Sequence, residues 1–175
     1  MITTQLVNPV ELYRMNTPRY ASTPLSGAGA AKGGGRFNRI GLGALYLSLD
    51  ELTAVKEYKQ TAPHLPPGTL CSYTGNLPPL VDLRELKNDP SRWHDIWQDW
   101  NMDWRLAKAD GLVDPATWDM ADLAIDAGVP GIIFESTVNI GGINVVLFVD
   151  ALRGIGTIDV NDPNAALPVD QASWR

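Results

Sequence analysis

Cysteine and histidine are nearly absent: the chain has one thiol, Cys71, and two imidazoles, His64 and His94. A single cysteine excludes an internal disulfide framework and suits a reducing compartment, so a cytoplasmic location is expected. So few soft ligands argue against a structural zinc site, and no metal is expected. No apolar run reaches the roughly 20 residues that cross a bilayer. The opening MITTQLVNPVELYR lacks a basic stretch followed by an apolar core, so neither a signal peptide nor a membrane partner is expected. Net positive charge is also missing. A balance of −6 argues against direct nucleic-acid binding.

What is present is 175 residues with 45% apolar content, enough for one domain over 1–175 with a proper core. Charge is unevenly spread. Residues 1–40 hold five basic side chains (Arg14, Arg19, Lys32, Arg36, Arg39) and one acid, Glu11, against nine basic and nineteen acidic side chains beyond. A basic island in an acidic protein suits a small anionic ligand; on charge alone, a plain basic surface fits equally well.

Three different segments adjoin in residues 26–57. Residues 26–35 are rich in glycine and alanine and predict a flexible loop, with Arg36 just after it. The loop lacks the Gly-Lys-Ser/Thr ending of a phosphate loop, and Lys32 stands where a dinucleotide fingerprint needs glycine. Residues 42–49 predict a buried strand, with Leu45, Leu47 and Leu49 on one face and Ala44, Tyr46 and Ser48 on the other. Residues 50–60 predict a helix capped by Ser48 or Asp50, with Leu52, Val55 and Lys59 marking one stripe. Glu57 lies off that stripe, near the small Thr53 and Ala54. Taken singly, Tyr46 and Glu57 are an ordinary half-buried tyrosine and a surface glutamate.

Further strands are predicted at 69–74, 80–83, 131–134, 144–149 and 156–160, with 131–134 and 144–149 paired around the turn 139–142. Asp114-Pro115 predicts a helix start, running to Ala127 and stopped by Gly128. Trp93, Trp97, Trp100 and Trp104 recur at helical spacing, predicting a helix over 90–109 with all four on one face. Such a stripe is either the core face of an inserted helix or a groove for a partner, and core is the expected place for that much ring area.

Taken together, an ordered set of motifs resembles the RES-domain toxin family, named for an arginine, a glutamate and a serine. The carrying pieces are Gly34-Gly35-Arg36-Phe37-Asn38 with Gly41, Ala44-Leu45-Tyr46-Leu47-Ser48, and the segment from Ala54 to Glu57. Further on come Gly128-Val129-Pro130-Gly131-Ile132 through Ser136, and Asn144-Val145-Val146-Leu147-Phe148. Phe37 stands where the family usually has tryptophan, and a tryptophan-rich helical insert around 90–118 falls outside the pattern.

The resemblance implies an α+β, ADP-ribosyltransferase-like fold with two small sheets around an NAD cleft and surrounding helices. It implies a toxin that consumes NAD+ as substrate, without metal, and passes ADP-ribose to a host protein, phosphate or water, inhibiting growth. It implies a cognate antitoxin of the Xre/ParS type that blocks the active site. Carried onto this chain, the catalytic residues are Arg36, Tyr46 and Glu57, with Arg14, Ser136 and Asn144 binding substrate. Glu57 would face the developing ribosyl cation, Arg36 and Arg14 would grip the pyrophosphate or ribose, Tyr46 would stack on nicotinamide, and Ser136 and Asn144 would orient it. Two rivals stand beside this: a non-enzymatic interaction module using the four-tryptophan face, and a phosphate-binding hydrolase, which the missing loop ending disfavours.

Overall fold

The computed structural model describes residues 1–111 and 114–172; positions 112–113 of the expected insert and 173–175 of the expected domain lie outside them. Among the described residues eight strands form one sheet in the order β1 (Thr3–Thr4), β5 (Leu80–Asp82), β6 (Gly131–Glu135), β7 (Ile143–Phe148), β3 (Ala44–Ser48), β2 (Val10–Asn16), β4 (Thr69–Asn76), β8 (Thr157–Val160). Every neighbouring pair is antiparallel except β5 with β6.

The ladder is pinched in the middle. β2 meets β4 over seven register pairs and β3 meets β7 over five, but β2 and β3 share one, Tyr13 opposite Ser48. The two small sheets that the resemblance implies are therefore halves of one curled sheet, hinged where both strands carry a polar residue.

Strict alternation sorts the apolar side chains into two cores. Ala44, Ile132, Phe134, Val146 and Phe148 face one side, where Trp93, Trp97 and helix α4 (Ala116–Asp126) cover them through Met120, Ala121 and Ala124. Leu45, Leu47, Ile133, Val145 and Leu147 face the other, with Leu12, Tyr73 and Leu80, closed off by Leu152 of the short α5 (Val149–Leu152). Both faces being covered explains why β6 and β7 read as continuous apolar runs. At about 1.5–3 kcal/mol for each buried aliphatic side chain, β7 is a firm anchor for the polar residue at its start, Asn144.

Three elements differ from expectation. The glycine run folds into helix α1 (Ala28–Gly33), which Ala28, Ala30 and Ala31 favour and which stops at Gly34, φ 67°. The helix expected over 90–109 is broken. Short 3₁₀ turns at Pro90–Arg92 and Asp95–Asp99 precede helix α3 (Trp104–Asp110). Local caps cause the breaks: His94 accepts from the Ile96 N–H, and Asp103 from those of Arg105 and Leu106. Trp93 and Trp97 pack edge-to-face at 5.5 Å in the core, so the four rings never share one face. Finally, α4 begins a residue later than expected, with Pro115 as its N-cap.

Candidate active site

A cavity of about 490 Å³ opens beside the pinch, lined by Arg14, Arg36, Tyr46, Ser48, Glu57 and Asn144, with Arg105 and Trp104 on its far wall. Its centre is Glu57, on helix α2 (Glu51–Lys59), which starts at Asp50, whose carboxylate accepts from the Thr53 N–H at 2.8 Å. The face of α2 turned inward is not the expected Leu52 stripe, since Leu52 is 59% exposed. Thr53 and Ala54 are the buried residues, and their small size lets the helix approach the sheet with Glu57 pointing along the gap.

Two donors hold the same carboxylate oxygen. Glu57 Oε1 accepts from Ser136 Oγ at 2.8 Å and from Asn144 Nδ2 at 2.6 Å. Each donor is itself fixed. Ser136 Oγ accepts from the Asn139 and Val138 amides, and Asn144 Oδ1 accepts from Ser48 Oγ at 2.8 Å. The carboxylate, which can only accept, settles which end of the Asn144 amide faces Glu57. The 136–142 loop is tied to α2 a second time, because Asn139 Nδ2 donates to Thr53 Oγ1 and Asn139 Oδ1 accepts from Lys56 Nζ. Among the described residues Glu57 Oε2 accepts no hydrogen bond, so one oxygen is anchored and the other is free to act.

Tyr46 behaves differently from its neighbour. Its hydroxyl donates to Asn38 Oδ1 at 2.8 Å and accepts from the Phe37 N–H at 2.9 Å, locking the loop that carries Arg36. Gly35 makes this possible, as a Cβ there would lie 2.5 Å from the Tyr46 oxygen. Burial pushes the phenol well above its ordinary pKa. With both hydroxyl bonds used and no charge available, Tyr46 offers the cavity only its ring.

Arg36 is half-engaged. Its Nη1 donates to the Trp100 and Met102 carbonyls, both at 3.0 Å, so it also braces the tryptophan-rich segment. Burial lowers its pKa, as does the repulsion of Arg105, with Glu57 and Tyr46 opposing. The Arg14 side chain, on β2, donates no hydrogen bond to any described residue, and burial lowers its pKa as well. Arg39, of the same basic island, points elsewhere, tied by ion pairs to Asp114, Asp119 and Asp122.

All six residues singled out from sequence thus meet at this gap: five line the cavity, and Ser136 reaches it through Glu57. Arg105, Trp104, Ser48 and Asn38 were missed. Ser48 and Asn38 carried a signal, since both sit inside the quoted motifs. Arg105 carried none, being placed there by the break of a segment that looked like one helix.

Fold and site together define an α+β domain with an anchored carboxylate facing arginines across a cleft. The chain matches the RES domain family model over residues 11–170 and belongs to that family. A chain of the crystal structure of the M. tuberculosis MbcT–MbcA toxin–antitoxin complex superposes on it with a TM-score of 0.63 at 16% identity, covering 91% of this chain and 84% of that one. The shared architecture is an ADP-ribosyltransferase-like fold. No curated protein matches the sequence. Among the described residues there is no cluster of three or more His, Cys, Asp or Glu side chains arranged for a metal ion, and no helix long and apolar enough to cross a membrane.

Proposed function

We propose that the protein is the toxin of a toxin–antitoxin pair and cleaves NAD+ at the nicotinamide–ribose bond. The observation carrying this is Glu57 Oε1 clamped by Ser136 and Asn144, with Oε2 left without a described partner in a cleft whose described lining holds three arginines and no second acid. As the C–N bond to nicotinamide breaks, its electron pair leaves with the ring and positive charge develops on the ribosyl carbon. A fixed carboxylate stabilises that charge without having to reorganise. Arg36 and Arg14 neutralise the diphosphate, and the Tyr46 ring packs on nicotinamide. A host protein, phosphate or water then attacks the ribosyl carbon. The likeness to a chain from a toxin–antitoxin complex supports a protein antitoxin as partner; we seat it over this cleft, in the cytoplasm, and assign it to the Xre/ParS type.

The test is to incubate folded, antitoxin-free protein with NAD+ and follow nicotinamide, ADP-ribose, its phosphate ester and labelled protein, beside Glu57→Gln. Nicotinamide release lost in Glu57→Gln is expected, and the accompanying product names the acceptor. No nicotinamide release with water, phosphate or lysate protein as acceptor would end this reading. The interaction-module alternative lacks its surface, because Trp93 and Trp97 are 6% and 2% exposed.

A further inference from the structure

Resting on the dinucleotide reading above, we propose that Arg105, delivered by α3 from the tryptophan-rich segment, is a third diphosphate-holding group of the cavity, and that Gln60 is its positioning residue. Neither belongs to the motif set that marks the family.

Charge is the first argument. Among the described residues the charged side chains lining the cavity are Arg14, Arg36 and Arg105 against Glu57, with Asp103 acting on Arg36 from outside that lining. That leaves an excess of two positive charges, which matches the two negative charges of a diphosphate. The excess is concentrated, because Arg105 is near enough to Arg36 to oppose its protonation. Placing two guanidinium groups together is unfavourable in the empty protein and becomes favourable once an anion lies between them.

Geometry is the second. Arg105 stacks over the Trp104 ring at 4.6 Å, and its Nη2 donates to Gln60 Oε1 at 2.9 Å. Ring and amide fix the plane of the guanidinium, while Nε and Nη1 donate to no described residue and remain for a ligand. The segment is held in place by Arg36 Nη1 on the Trp100 and Met102 carbonyls and by Lys108 Nζ on the Gly33 carbonyl.

Backbone strain is the third. Gln60 closes α2 at φ 45°, ψ −121°, a conformation natural to glycine and costly for any other residue. A glutamine kept at such a position needs a reason in its side chain. The side chain lines the cavity and holds Arg105.

The experiment uses the full chain and two probes in calorimetric titrations: ADP-ribose, which carries the diphosphate, and adenosine, which does not. Arg105→Ala should weaken ADP-ribose by about tenfold while leaving adenosine unchanged, the scale of one lost charge-assisted contact. Arg105→Lys should recover only part, lacking the planar fork. Gln60→Gly should weaken ADP-ribose about threefold while melting no lower than wild type, since glycine relieves the strain. In turnover, Arg105→Ala should raise KM for NAD+ with kcat little changed. If wild type binds ADP-ribose and Arg105→Ala binds it equally well, the role of Arg105 is refuted and the dinucleotide site stands. Equal weakening of both probes means a general disturbance of the fold and also refutes it. If wild type binds no ADP-ribose, the dinucleotide reading falls and this inference falls with it.

Discussion

Replacing Tyr46 by phenylalanine separates two roles that one side chain combines. The ring stays, and with it the surface offered to a planar ligand; the hydroxyl goes, and with it the lock on residues 35–38. That oxygen bonds the Phe37 N–H at 2.9 Å and Asn38 Oδ1 at 2.8 Å, and both residues are fully buried. Asn38 cannot turn to find another partner, because its Nδ2 is spent on the Ala30 and Leu42 carbonyls. Each orphaned buried group costs about 1–3 kcal/mol, partly offset by relaxation, so a loss of about 3 kcal/mol is expected. For a chain of this size that is about 9 °C in Tm. Calorimetric melting reads it directly, and turnover per folded molecule should fall less than in Tyr46→Leu, which keeps apolar volume but loses the ring. Gly35→Ala should disturb the same lock from the other side and melt lower too. A Tyr46→Phe protein melting within about 2 °C of wild type would show that the hydroxyl does not hold the loop.

Glu57→Gln should lower kcat by about a hundredfold or more with Tm little changed, and Asn144→Ala, freeing the clamped oxygen, should lower kcat by about tenfold but add nothing once Glu57 is gone; steady-state rates of the double variant check this. Tyr13 is pushed up to about 12 by desolvation and the Glu11 carboxylate, and burial raises Tyr46 and Tyr73 as well. These groups keep their protons when folded and lose them above about pH 10 when unfolded, so stability should be intact below pH 10 and fall as pH rises beyond it, with a shallower fall for Tyr46→Phe in melts from pH 8 to 11. Arg39→Ala should cost about 1 kcal/mol by removing a partly exposed ion-pair network, an effect reduced in high salt, with NAD+ turnover unchanged.

What could be read from the chain alone is what depends on neighbours in sequence. Alternation along β3 placed Tyr46 opposite Leu45 and Leu47, capping narrowed the head of α2 to Ser48 or Asp50, and the glycine turn at 139–142 paired β6 with β7, all through interactions spanning a few residues. The six candidate residues were also legible, though only through the joint order of motifs, since each singly had a plain structural explanation. Tertiary structure decided the rest. It buried Thr53 and Ala54 instead of Leu52, because helix α2 needed close approach rather than bulk. It turned the tryptophan segment into separate turns, sending Trp93 and Trp97 to the core and Trp104 with Arg105 to the cleft. It gave Glu57 two donors some eighty residues along the chain, Ser136 just past β6 and Asn144 on β7, and no local pattern encodes contacts that distant.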